Sequence, residues 1–224
     1  MEETNNIASN RATKIYSSTL GILVGLAGIE HGFLEILQGN VRPDGLMIDA
    51  IGPEQRLWEY ATETALTIVP NFLLTGILSV VLGVLVIIWA YAYIDKKYGA
   101  VVFLFLLIAL FLVGGGFAPI FLTLLAFIAA LRINKPLHFW SSRVPSRVRS
   151  FFARLWPWTL IISVISFVVA VEIAIFGEPF VGLVGAESAY SLQFLLGLTM
   201  LVLAIVALPA ANAYDARNLN ELSD

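Results

Sequence analysis

Five apolar runs, Ile15–Leu37, Pro70–Ile94, Ala100–Leu131, Pro157–Phe176 and Tyr190–Ala211, occupy most of this chain of 224 residues. About 20 apolar residues make a helix that crosses the roughly 30 Å of bilayer hydrocarbon. Lipid offers backbone amides no water, so spanning segments must close their hydrogen bonds internally as helices or barrels. Runs of this length are helices. With 59% hydrophobic and 13% charged residues, the sequence therefore predicts an all-α, polytopic membrane helix bundle of about five to six membrane segments.

The third run departs from the others. Its 32 residues would make a straight helix of about 48 Å, and Gly114-Gly115-Gly116-Phe117-Ala118-Pro119 interrupts it at the middle. Two short helices, 100–113 and 117–131, joined at a glycine turn are expected, either as a re-entrant hairpin or as two short spans. Charge supports the hairpin. Lys and Arg gather on the cytoplasmic side of membrane spans, and a hairpin places eleven of the thirteen basic residues on one face, leaving Arg42 and Arg56 on the other. The expected organisation is a polar tail over 1–14, one transmembrane domain over 15–211 and a polar tail over 212–224, with both tails cytoplasmic and a location in the cell membrane. The first 14 residues lack a basic n-region and a cleavage site, so the first span is read as retained.

Glu30, His31 and Glu35 lie inside the first run. Ionisable groups at membrane depth are costly and mark pairing, ligation or relay. Gly21, Gly25, Gly28, Gly32 and Gly39 form a small-residue stripe along this helix, which invites close approach by another helix. At i, i+4 spacing His31 and Glu35 project from nearly one face, while Glu30 points elsewhere. In the preferred topology Glu172, Asn71 and Gln193 fall at similar depth, with Gln38, Thr75 and Tyr190, and together they are expected to line one outward polar vestibule.

Between the first two runs, Gly52-Pro53-Glu54 resembles a helix start, with Pro early and an acid in the first turn. Leu57, Ala61 and Ala65 then recur at helical spacing near Trp58 and Tyr60. A short helix is expected there, either amphipathic and lying in the interface or packed on the bundle as an ordinary loop helix. On the opposite face, Arg143, Arg147, Arg149 and Arg154 alternate with aromatic residues. They serve as a topology signal and as contacts for anionic lipids.

Zero Cys excludes disulfides, thiolate metal sites and thiol nucleophiles. No nucleophile elbow or phosphate-binding Lys-Ser/Thr motif is present. His31 and His138 lie on opposite faces, which disfavours bis-His haem ligation, and nothing points to nucleic acid. Three functions remain. The foremost is a membrane anchor or small subunit that binds a partner, lipid or quinone within a homo-oligomer or larger membrane complex. A second is a proton-coupled transporter of a small solute or ion. The third is a divalent transition-metal site of His31 and Glu35, completed by Glu172 or Glu30, since imidazole and carboxylate suit Zn, Mn or Fe. The residues name no reaction.

Overall fold

The computed structural model describes residues 10–117 and 119–221. Its helices are α1 (Arg11–Leu37), α2 (Phe72–Ala92), α3 (Gly99–Leu112), α4 (Ile120–Ala130), α5 (Ser146–Phe176), α6 (Glu178–Val184) and α7 (Ala186–Glu221). Two short strands, β1 (Met47–Asp49) and β2 (Thr64–Leu66), pair antiparallel in the loop between α1 and α2. Four helices, α1, α2, α5 and α7, are long and apolar enough to cross a membrane, so the chain is an all-helical membrane protein.

The interrupted third run is α3 and α4, which return to the same end of the bundle. Asn134 Nδ2 there donates to Asp95 O at 2.8 Å, and Asn10 N donates to Ile133 O at 2.8 Å. With 14 and 11 residues, the two helices reach about 21 and 17 Å. Their turn therefore stops inside the bundle, near the outer ends of α1 and α2. Its backbone groups need partners there, and an extended segment of the α1–α2 loop supplies them. Ile68 N donates to Leu112 O at 2.9 Å, Gly114 N to Leu66 O at 2.9 Å and Phe117 N to Thr64 O at 3.0 Å. The glycine turn thus extends the small sheet by an edge, which satisfies a broken helix at membrane depth.

This pairing corrects the expected helix after Gly52. Only Pro53–Gln55 makes a helical turn, and Ala65 lies in β2 opposite Ile48. Trp58 and Ala61 are buried in a small outer core with Ile51, Ile173 and Ala189. The indole Nε1 of Trp58 donates to Ala174 O at 3.0 Å, so the loop is pinned onto α5 instead of lying in the interface.

The glycine stripe of α1 does receive a partner. Gly25 faces Gly83 and Gly32 faces Gly76 on α2, so close that a Cβ at Gly25 or Gly32 would sit 2.7 or 2.6 Å from the opposing carbonyl oxygen. Between them Ser79 Oγ donates to Gly28 O at 2.8 Å. Gly21 meets Phe103 of α3 and Gly28 meets Leu110. Gly39 lies beyond α1 and has open space around it. On its other side α1 packs on α4 and α7, and α5 packs chiefly along α7. The main core, with Tyr16, Leu20, Leu107, Leu122 and Ala204, fills the seam between these groups.

Both described ends share one face, and residues 11–14 and 212–221 of the regions read as polar tails are helical. Residues 1–9 and 222–224 lie outside the described residues, but α1 begins at Arg11 and α7 runs to Glu221. Asp215, buried on α7, accepts from Ala12 N at 2.8 Å, from Thr13 N at 2.9 Å and from Thr13 Oγ1 at 2.8 Å. It caps α1 from another helix, because Asn10 makes no side-chain cap. Replacing Asp215 with Ala leaves the Ala12 and Thr13 amides buried and unpaired, so we expect a loss of about 2–3 kcal/mol in reversible unfolding in detergent, with Asp215→Asn less affected. An unchanged transition in the Ala variant would refute the capping role. Nearby, Lys14 Nζ bonds Asp95 at 2.7 Å, and this hydrogen bond holds the Asp95 carboxyl below its usual range.

A buried candidate site of carboxylates and imidazole

The α1 backbone places His31 and Glu35 against the α3–α4 turn. A Cβ at Gly116 would lie 2.6 Å from His31 Nε2, and one at Gly114 would collide with the Glu35 carboxyl. Both glycines also have positive φ, +86° and +100°, a conformation that side chains other than hydrogen disfavour. Gly114 and Gly116 thus form a roof seated on the two ionisable side chains.

The imidazole bridges two carboxylates. His31 Nδ1 lies 2.9 Å from Ala27 O and 3.1 Å from Glu30 Oε2, while Nε2 lies 3.3 Å from Glu63 Oε2. A carbonyl only accepts, so Nδ1 carries a hydrogen, and in the neutral ring the acceptor lone pair on Nε2 faces Glu63. Nε2 lies beside the Glu63 carboxyl but makes no hydrogen bond among the described residues. Asp49 positions Glu63: its carboxylate accepts from Glu63 N at 2.9 Å, from Thr62 Oγ1 at 3.0 Å and from Arg56 Nη2 at 2.9 Å, which tethers the loop just before β2.

Glu35 is fully buried, and neither of its carboxyl oxygens has a hydrogen-bond partner among the described residues. Such a group contributes nothing to folding that offsets its desolvation, which is why unpaired buried polar groups call for a functional account. Three carboxyl groups and one imidazole therefore share a small volume.

The other residues expected in one vestibule are divided. Glu30 and Glu172 line a lateral crevice of about 580 Å³ between α1 and α5, with Gln55, Phe33, Phe167 and Val171. The oxygens of Glu30 are turned inward and buried, so mainly its stem faces that space. Gln193 and Tyr190 line a second crevice of about 400 Å³ among α4, α5 and α7, which also contains Glu63, Phe121, Phe167 and Phe194. Gln193 Oε1 is buried without a partner there. Asn71 stands apart: its side chain accepts from Leu74 N and donates to Asn40 Oδ1, capping α2. Gln38 donates to the carbonyls of Asp49 and Ala50, and Thr75 bonds Thr67 and Val113 O, so both hold the outer loop.

Glu30 and Glu63 lie beside the two ring nitrogens of His31, while the Glu35 carboxyl has no hydrogen-bond partner among the described residues. No group of three or more His, Cys, Asp or Glu side chains among the described residues has the spacing to hold a metal ion. Glu63 is the residue that the sequence alone did not reveal. The available signal was the β-branched stretch Thr64-Ala-Leu-Thr-Ile-Val69 beside it, which favours an extended segment over a helix.

Fold and site define a multi-pass helical membrane protein with an enclosed Glu-His-Glu chain beneath a glycine turn. Compared with protein-family models, curated proteins and solved structures, the chain matches none.

Proposed function

We propose that this membrane protein binds an amphipathic molecule dissolved in the bilayer, of the quinone or hydroxylated-lipid class, as a membrane-embedded binding protein or small subunit of a larger assembly. One observation carries the reading. Glu63 touches His31 Nε2 on one side and on the other lines a crevice walled by Phe121, Phe167 and Phe194, where Gln193 Oε1 lacks a partner. Mostly apolar walls with a few convergent polar groups, at about 300–1,000 Å³, are the usual form of a small-molecule site. The aromatic walls suit a ring, and Glu63 and Gln193 suit a hydroxyl or carbonyl head. Taking the face rich in Lys and Arg as cytoplasmic opens this crevice in the outer leaflet.

Proton-coupled transport has less support. Hydroxyls in the other half of the bundle are occupied by backbone carbonyls, as in Ser17 to Ala126 O, Ser18 to Ala90 O and Ser163 to Met200 O. They supply no onward relay from His31.

Gly197 lines the second crevice and has open space where a Cβ would be, so Gly197→Leu is the substitution chosen to occupy the crevice. Solvent extracts of detergent-purified protein, quantified by mass spectrometry, are expected to contain one amphipath near equimolar with wild type. Gly197→Leu should lower it at least tenfold, and Glu63→Gln by a smaller factor, with unchanged size-exclusion profiles. A wild-type extract without such a compound, or one equally abundant in Gly197→Leu, would sink the proposal.

A further inference from the structure

A second feature lies at the opposite, basic end of the bundle. Anionic lipids were expected at Arg143, Arg147, Arg149 and Arg154, but Arg149 is engaged within the protein: its Nη1 donates to Trp140 O at 3.1 Å and Ser141 O at 3.2 Å. It thereby holds the turn Phe139–Arg143 against the start of α5.

A different set of groups converges nearby. A crevice of about 410 Å³ lies where α4 ends, between the connection that follows it and α7 at Pro209. Its polar side chains are Arg132, His138, Trp140 and Asn212, and its lining contains no carboxylate. One end of the Asn212 amide lies 2.9 Å from Thr13 Oγ1, which leaves the other end as its remaining hydrogen-bonding group. The neighbouring acids are committed elsewhere, Asp95 to Lys14 and Asp215 to the first turn of α1. The Arg132 side chain has no ion-pair or hydrogen-bond partner among the described residues. The backbone at this place is fixed, because Asn10 Nδ2 donates to Arg132 O at 2.7 Å and to Lys135 O at 2.8 Å.

A crevice lined by an unpaired arginine and an indole N–H, with no carboxylate in its lining, favours an anion. The rest of its lining, with Ile128, Leu137 and Leu208, is apolar and suits an acyl chain better than a freely soluble ion. We infer that this crevice is a specific site for the phosphate head of an anionic phospholipid, held by Arg132, His138 and Asn212, with the chain lying along α4 and α7. Basic pockets between membrane helices recognise lipid phosphates in this manner. The site is separate from the Glu-His-Glu chain, and neither depends on the other.

The test uses full-length protein in neutral detergent, followed by thermal unfolding and native mass spectrometry with phosphatidylglycerol, phosphatidylcholine or inorganic phosphate added. Phosphatidylglycerol should raise the midpoint and remain bound as one molecule, and phosphatidylcholine should do neither. Arg132→Gln with His138→Gln should weaken phosphatidylglycerol binding at least fivefold, whereas Arg143→Gln with Arg147→Gln should leave it near wild type. Equal binding of the two lipids by wild type overturns the assignment whether or not the variants fold. So does a preference that survives in Arg132→Gln/His138→Gln, which would mark diffuse adsorption to a basic surface. Inorganic phosphate reproducing the full stabilisation would assign the crevice to a soluble anion and refute the lipid.

Discussion

Gly83→Leu is expected to abolish the folded monomer in mild detergent. A Cβ at Gly83 would stand 2.6 Å from Gly25 O and 2.9 Å from Ile29 Cγ1, and the reciprocal Cβ at Gly25 would stand 2.7 Å from Gly83 O. Backbone on both sides leaves no flexible side chain to yield, so α2 must move off α1. That movement also breaks the bond from Ser79 Oγ to Gly28 O and the Gly32–Gly76 approach one turn further along. Overpacking usually costs about 1–3 kcal/mol, and a leucine between two backbones belongs at or above the top of that range. Gly182→Ala in α6 is the matched control, because nothing lies within 4 Å of its added Cβ. It should be neutral or stabilising by up to about 1 kcal/mol. Thermal unfolding and size exclusion read both variants, and a Gly83→Leu protein that melts with wild type would disprove the close α1–α2 seam.

The second large effect belongs to the roof of the site. Gly114→Val places a β-branched residue at φ +100° and its Cβ within the Glu35 carboxyl. Strain of this kind costs about 1–3 kcal/mol, apart from the collision itself. The turn is expected to lift away, breaking the bonds Gly114 N to Leu66 O and Ile68 N to Leu112 O. Hydrogen exchange should then accelerate at Ile68 and Phe117, whose amides hold the same turn, by at least tenfold, while amides in the middle of α1 and α5 stay protected. Gly116→Ala, with its Cβ 2.6 Å from His31 Nε2, should act in the same direction. Wild-type exchange at Ile68 in both variants would show that the glycines are not what seats the turn.

Much of this fold is legible in the residues, because lipid imposes few solutions. Apolar length gives the helices, the triplet at Gly114 gives the break, and the small-residue period of α1 gives the face met by α2. The misreadings have a common cause. Leu57, Ala61 and Ala65 match a helical period by coincidence, since Ala65 lies in a strand whose partner, Ile48, comes from earlier in the loop. A pairing between distant segments leaves no local period. Glu63 reaches His31 for the same reason, through the sheet and the Asp49 tether. At the other end, a polar composition hid the packing of α7. Ala207, Ala210, Ala211, Ala213 and Ala216 are buried on it, and this small-residue pattern, more than hydropathy, brings Asp215 to the start of α1.

The sheet edge that receives the glycine turn also bears on how such a chain enters a bilayer. Segment 64–68 is synthesised before 99–131, so the acceptor edge has left the ribosome by the time the half-depth hairpin arrives. A hairpin with helices of 14 and 11 residues is poorly suited to independent insertion, since its apex would carry unmet amides into hydrocarbon. Here those amides pair with a segment that precedes them in the chain, so the order of synthesis places the acceptor edge ahead of the turn it receives.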